Sequence, residues 1–131
     1  SSHMSLLRRI LAAISTLWLG RAELDYRRSC QSRPVLTVQE FHELFYRTSG
    51  IPLDTCEGVL RVLRVQLKMA NVRPEDRVTE IFVEIDLEEI CFELGDEFGL
   101  RFSDDDVERM DGTVDSLIRE THRRRTGPKV T

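Results

Sequence analysis

Cysteine is scarce in this sequence and odd in number: Cys30, Cys56 and Cys91. Three thiols without metal-ligand spacing give neither a disulfide framework nor a zinc site, so a reducing, cytoplasmic setting is the expectation. Cys91 falls on an apolar helical stripe, as a reduced core thiol does. The seven glycines are scattered and make no phosphate-cradling loop. His3, His42 and His122 lack the spaced Cys, Asp or Glu partners of a metal site. No nucleophile–base pair is present either. No apolar run approaches the roughly 20 residues of a membrane-spanning helix. No alternating run is long enough for a sheet, and EIFVEID is the one strand-like piece. Internal repeats and low-complexity tracts are missing as well. These absences point away from an enzyme, a cofactor protein and a secreted domain, and towards an all-α chain.

Charge is abundant and unevenly spread. The net of −4 combines an acidic centre with two basic ends. Residues 79–111 hold 13 acidic and 2 basic residues, a net of −11. Residues 1–78 carry a net of +4 and residues 112–131 a net of +3. Such a centre suits a basic partner or the docking of the chain's own ends. Nucleic acid is disfavoured, because the centre repels phosphate and the basic residues are not gathered on one recognition helix.

Apolar periodicity divides the chain into helices. Ser1, Ser2 and His3 have the character of a cloning scar, with Met4 as the expected native start. In SLLRRILAAISTLWLG, Leu7, Leu11, Ile14 and Trp18 follow helical spacing. This stripe suits an internal amphipathic helix, a membrane-surface helix or a signal segment. Thr37 and Glu40 form a capping box for a second helix with Val38, Phe41, Leu44 and Phe45 as its apolar face, stopped by Gly50. Asp54 and Glu57 repeat that spacing at the start of a third, whose stripe is Val59, Val62, Leu63 and Leu67, broadened by Val65 and Met69. Gly58 weakens its first turn. Leu87, Ile90, Cys91, Leu94 and Phe98 define a fourth helix, ended by Gly99. Ser103 caps a short helix with Asp106 as the capping-box acid and Val107 and Met110 inward. The triplet Asp104, Asp105 and Asp106 reads as this cap, since it lacks the offsets of a calcium loop. Thr113 caps the last helix, with Val114, Leu117 and Ile118 apolar, and HRRRTGPKVT is expected to fray.

Four pieces in order resemble an acyl carrier protein over about residues 53–118. They are a first helix of the Val-x-x-Val type, the loop Asn71-Val72-Arg73-Pro74-Glu75-Asp76-Arg77-Val78, the helix end Leu94-Gly95-Asp96-Glu97-Phe98-Gly99, and the turn from Phe102 to Asp106 leading to Thr113, Val114 and Leu117. The resemblance implies a carrier-like four-helix bundle at 53–122. A two-helix N-terminal extension at 4–52 would precede it, and a basic tail at 123–131 would follow. The family's Asp-Ser-Leu-Asp motif then falls on Val83, Glu84, Ile85 and Asp86. Glu84 has no hydroxyl to take a 4'-phosphopantetheine arm, and its charge suits a helix N-terminus, contributing about 0.3–1 kcal/mol. The literal Asp115-Ser116-Leu117 lies too near the end of the chain and reads as surface on the last helix.

In the family the second carrier helix, here about Asp86 to Phe98, is what partner enzymes recognise. The expectation is therefore a non-catalytic carrier-like module in lipid or polyketide metabolism. It would bind a basic protein partner through Glu84, Asp86, Glu88, Glu89 and Glu93 and use no cofactor. Two alternatives stay open. One is a working acyl or peptidyl carrier with an unusual attachment site, which would use 4'-phosphopantetheine. The other is a membrane-surface or scaffold adaptor acting through Leu7, Leu11, Ile14 and Trp18, as a monomer or weak dimer.

Overall fold

A computed structural model describes residues 9–10, 24–25, 28–30, 32–67, 71–78 and 86–127. Five helices lie within these residues: α1 (Val38–Phe45), α2 (Leu53–Leu67), α3 (Leu87–Phe98), α4 (Asp104–Glu108) and α5 (Val114–Thr126). The all-α class holds, and the described residues include no strand beyond an isolated bridge between Arg77 and Thr113. Leu7, Leu11, Ile14, Trp18 and Glu84 lie outside the described residues, as does EIFVEI from Glu80 to Ile85.

Local sequence sets most helix starts. The Thr37 side chain accepts from the Glu40 N–H while Glu40 accepts from the Thr37 N–H. Ser103 and Asp106 make the same reciprocal pair at α4. Each box satisfies two of the N–H groups that every helix start leaves open. Thr113 caps α5 by accepting from the Ser116 N–H at 3.1 Å. At α2 the expectation needs correction. The helix begins at Leu53, so Asp54 sits inside the first turn, and its carboxylate accepts from Arg125 at 3.1 Å.

One core joins four of the helices. Phe41 of α1 and the following Tyr46 and Ile51 are buried with Cys56, Val59, Leu60 and Leu63 of α2. Ile90, Cys91 and Leu94 of α3 and Val114, Leu117 and Ile118 of α5 complete it. The α1 part of the expected N-terminal extension is thus built into the bundle. Tyr46 ties it in: the phenol is buried and donates to Asp115 Oδ1 at 2.6 Å. Burial first, and that bond second, raise its pKa well above the usual phenol range.

Two apolar faces differ from the sequence expectation. Leu44 is 65% exposed and Phe45 40%, because α1 ends at Phe45 and Tyr46 turns inward in their place. Val65 is 69% exposed on α2, whereas Leu60 is buried. Leu60 and Leu63 sit together on the face turned to the bundle, and Val65 points away from it.

The loop from Asn71 to Val78 supplies backbone acceptors for α5. The carbonyls of Asp76 and Pro74 accept from Val114 and Asp115, each at 2.9 Å. The Asp76 carboxylate is itself buried, accepting from the Arg33 guanidinium at 2.7 Å and the Arg73 N–H at 2.8 Å. The far end of α5 is held too. The expected fraying does not occur through Thr126, because the arginines there find carboxylates and carbonyls. Arg125 donates to Thr55 Oγ1 at 2.7 Å, and Arg124 donates to the Arg101 carbonyl at 2.8 Å.

Gly58 has a packing reason beyond its low helix propensity. A Cβ there would sit closer to the Phe98 ring than van der Waals contact allows. Phe98 is pinned in turn by the Arg125 guanidinium, 5.0 Å from its ring centroid. We therefore expect Gly58→Ala to destabilise the protein by about 1–3 kcal/mol in urea unfolding, although alanine is the better helix former by about 1 kcal/mol. A gain in stability would show that Phe98 yields freely.

Candidate functional site

Two groups of acidic residues stand out by what faces them. The first group is paired with the chain's own arginines. Asp106 is buried and accepts from Arg123 at 2.6 Å and Arg109 at 3.2 Å, with Arg124 at 3.4 Å. Glu120, also buried, shares Arg123 and Arg109. Asp115 holds Arg119 through both oxygens at 3.0 Å. Glu97 and Glu57 share Arg61. A carboxylate taken out of water needs such donors, because an unpaired buried charge costs several kcal/mol.

The second group lies on the solvent side of α3. The stripe Leu87, Ile90, Cys91, Leu94 and Phe98 turns inward, as expected from the sequence. The remaining arc, about 140° wide at 3.6 residues per turn, carries Glu88, Glu89, Phe92, Glu93 and Asp96. None of these four carboxylates has an ion pair among the described residues. Glu89 and Glu93 are four residues apart, an arrangement that costs an isolated helix about 0.2–0.5 kcal/mol. The last turn of α3 has no basic residue to offset its dipole.

Of the five residues expected to meet a partner, Glu88 and Glu89 are exposed and Glu93 is half-buried at the edge of the same arc. Asp86 has a structural use as N-cap of α3, its Oδ1 accepting from the Glu89 N–H at 2.9 Å. Asp96 belongs with the others in space, one turn after Phe92.

Phe92 is the residue that sequence reasoning passed over. It is 69% exposed in the middle of this acidic arc. Its position one residue after Cys91, off the apolar stripe, was the available signal. Two grooves border α3, and Phe92 lines the second. The one between α2 and α3 has a volume of about 230 Å³ and is lined by Val62, Val65, Glu93 and Asp96 among others. The one between α3 and α4 measures about 530 Å³. Gly95 shapes the second. The chain folds back there, the Leu100 N–H donating to the Gly95 carbonyl at 2.9 Å, and a Cβ on Gly95 would strike the Leu100 carbonyl oxygen. Gly99, with φ of 65°, makes that reversal in the left-handed region.

Other candidate chemistry is accounted for. The Ser116 hydroxyl donates to the Thr113 carbonyl at 2.7 Å within the first turn of α5, beside Asp115, which is occupied by Tyr46 and Arg119. His42 Nε2 pairs with the Ile51 carbonyl at 2.7 Å. The three cysteines are buried, and burial raises the Cys56 and Cys91 thiols to about 11. Among the described residues no group of three or more His, Cys, Asp or Glu could hold a metal ion. No helix among them is long and apolar enough to cross a membrane. Comparison with known proteins gives no match to a family model, a curated protein or a solved structure.

The paired carboxylates predict a pH response. Burial opposes ionisation of Asp106, but the Ser103 hydrogen bonds and the Arg124 charge outweigh it and hold its carboxyl below the usual range. A lowered folded pKa means that the stabilisation is complete above the unfolded value, near pH 4, and is lost as pH falls through the folded value. Asp106→Asn should lose about 2–3 kcal/mol at pH 7, somewhat less than a fully enclosed pair, because its arginines are partly exposed. From about pH 4 downward the difference between variant and parent should narrow progressively, closing only below the folded value. Urea midpoints measured at pH 7 and pH 3 check both statements, and a constant difference would contradict the assignment.

Proposed function

We propose that this protein is a non-catalytic, carrier-like helical module that docks a basic protein partner on the outer face of α3, and that it works in the cytoplasm. One observation carries the reading. The chain directs its arginines to Asp106, Glu120, Asp115, Asp76 and Asp54, while Glu88, Glu89, Glu93 and Asp96 have no ion pair among the described residues. Like charges kept together at a cost in helix stability suit a surface that a cation covers in a complex. Such contacts speed association and weaken with salt.

Polylysine is a suitable probe of this face. In fluorescence anisotropy at low salt, the protein should bind labelled polylysine. Neutralising Glu88, Glu89, Glu93 and Asp96 to Gln and Asn should weaken that binding at least about tenfold, a loss of 1.4 kcal/mol. Neutralising four exposed acids away from this face, Glu43, Glu75, Asp105 and Glu108, is the control, and an equal loss there would reduce the α3 face to general surface charge.

The carrier resemblance supports the helical order, and with glutamate at the family's serine position we expect no pantetheine arm. Incubation with coenzyme A and a broad-specificity phosphopantetheinyl transferase should leave the intact mass unchanged. A gain of one arm on any residue would replace this reading with a working carrier.

A further inference from the structure

The face of α3 has an apolar centre as well as an acidic rim. Phe92 stands 69% exposed between Glu88 and Asp96, one helical turn from each. It forms one wall of the groove of about 530 Å³ against α4, whose floor includes Cys91, Phe102 and Val107. Asp104 adds a third carboxylate to the lining, while Arg101 places a cation there. A single exposed Phe would need no explanation. A Phe walling a groove large enough for a bulky side chain, under carboxylates without an ion pair, presents the apolar centre and polar rim of a protein interface.

We propose that this groove receives one large apolar side chain of a cationic amphipathic helix carried by a partner protein. This rests on the reading of α3 as the docking face and specifies what docks there. The carboxylates at the rim select cations and repel a fatty acid or an anionic membrane surface. The described residues offer no sheet edge for an extended peptide to pair with, whereas a helix laid along α3 brings anchor and charges into reach together. A second copy of this chain fits less well. Most of the arginines at its described C-terminal end are already paired with its own carboxylates.

The test uses three fluorescein-labelled peptides of about 18 residues, five helical turns. One is an amphipathic Leu/Lys helix, the second a Ser/Lys peptide of equal charge, and the third a Leu/Glu helix. Fluorescence anisotropy is measured with the full chain and with Phe92→Ala, a substitution at an exposed position that should leave the fold intact. The proposal expects the Leu/Lys peptide to bind at least about fivefold more tightly than the Ser/Lys peptide. Phe92→Ala should remove that margin and leave Ser/Lys binding unchanged, and the Leu/Glu helix should not bind. Equal affinity for the Leu/Lys and Ser/Lys peptides would overturn the groove while leaving the acidic docking face standing. Binding of neither would remove both. Retention of the full Leu/Lys margin by Phe92→Ala would also overturn the proposal. So would Phe92-dependent binding to phosphatidylcholine vesicles, which would assign the groove to lipid.

Discussion

A carboxylate cannot be buried here without donors, and that requirement shapes the molecule from α5 outward. Asp106, in α4, draws Arg109, Arg123 and Arg124 to it, with the Ser103 N–H completing its shell. Asp76, buried in the loop ahead of α3, draws Arg33 and the Arg73 N–H. Removing a donor from either would leave a charge in low dielectric, which costs more than most single contacts return. Both pairings fix elements distant in sequence: Asp76 joins residue 33 to the start of α5, and Asp106 joins α4 to its end.

The same requirement accounts for the surface. Arginines committed to buried or half-buried acids are not free to neutralise the outside. The sequence presents an acidic centre between basic ends, and the fold resolves that pattern unequally. The C-terminal arginines turn back onto Asp106, Glu120 and Asp54, whereas the solvent arc of α3 keeps its charge. The proposed docking face belongs to the charge left over after the bundle has met its internal electrostatic needs. Phe92 is the apolar counterpart of that remainder, since the core stripe of α3 closes without it.

Features that depend on a few neighbouring residues could be seen in the sequence. The capping boxes at Thr37 and Ser103 and the Thr113 cap involve partners three residues apart. Gly99 ends α3 because a left-handed residue is needed there. The inward stripes of α3 and α5 followed from spacing alone. Features that depend on a partner far along the chain could not be seen. Asp54 has the spacing of a cap but is used by Arg125, 71 residues later. The basic C-terminal turn suits the helix dipole, but what holds it through Thr126 is its contacts to α2, α4 and Arg101. Gly58 looked like a weak point in a helix and is where Phe98 needs room. Of the candidate contact residues, Glu88, Glu89 and Glu93 were legible as helix-surface acids, but Asp86 has a second role as the cap of α3.

The sequence by itself determined the helical class, the main helix starts and the acidic character of α3, because periodicity and capping act over one or two turns. It also has glutamate at position 84, where the proposed carrier resemblance would put the attachment serine. Tertiary structure decided which charges are spent and which remain, because pairing depends on distances across the bundle. It also decided that Tyr46 and Phe41 belong to the common core and that Phe92 stands outside it, since a helical stripe only becomes a face when another helix covers it.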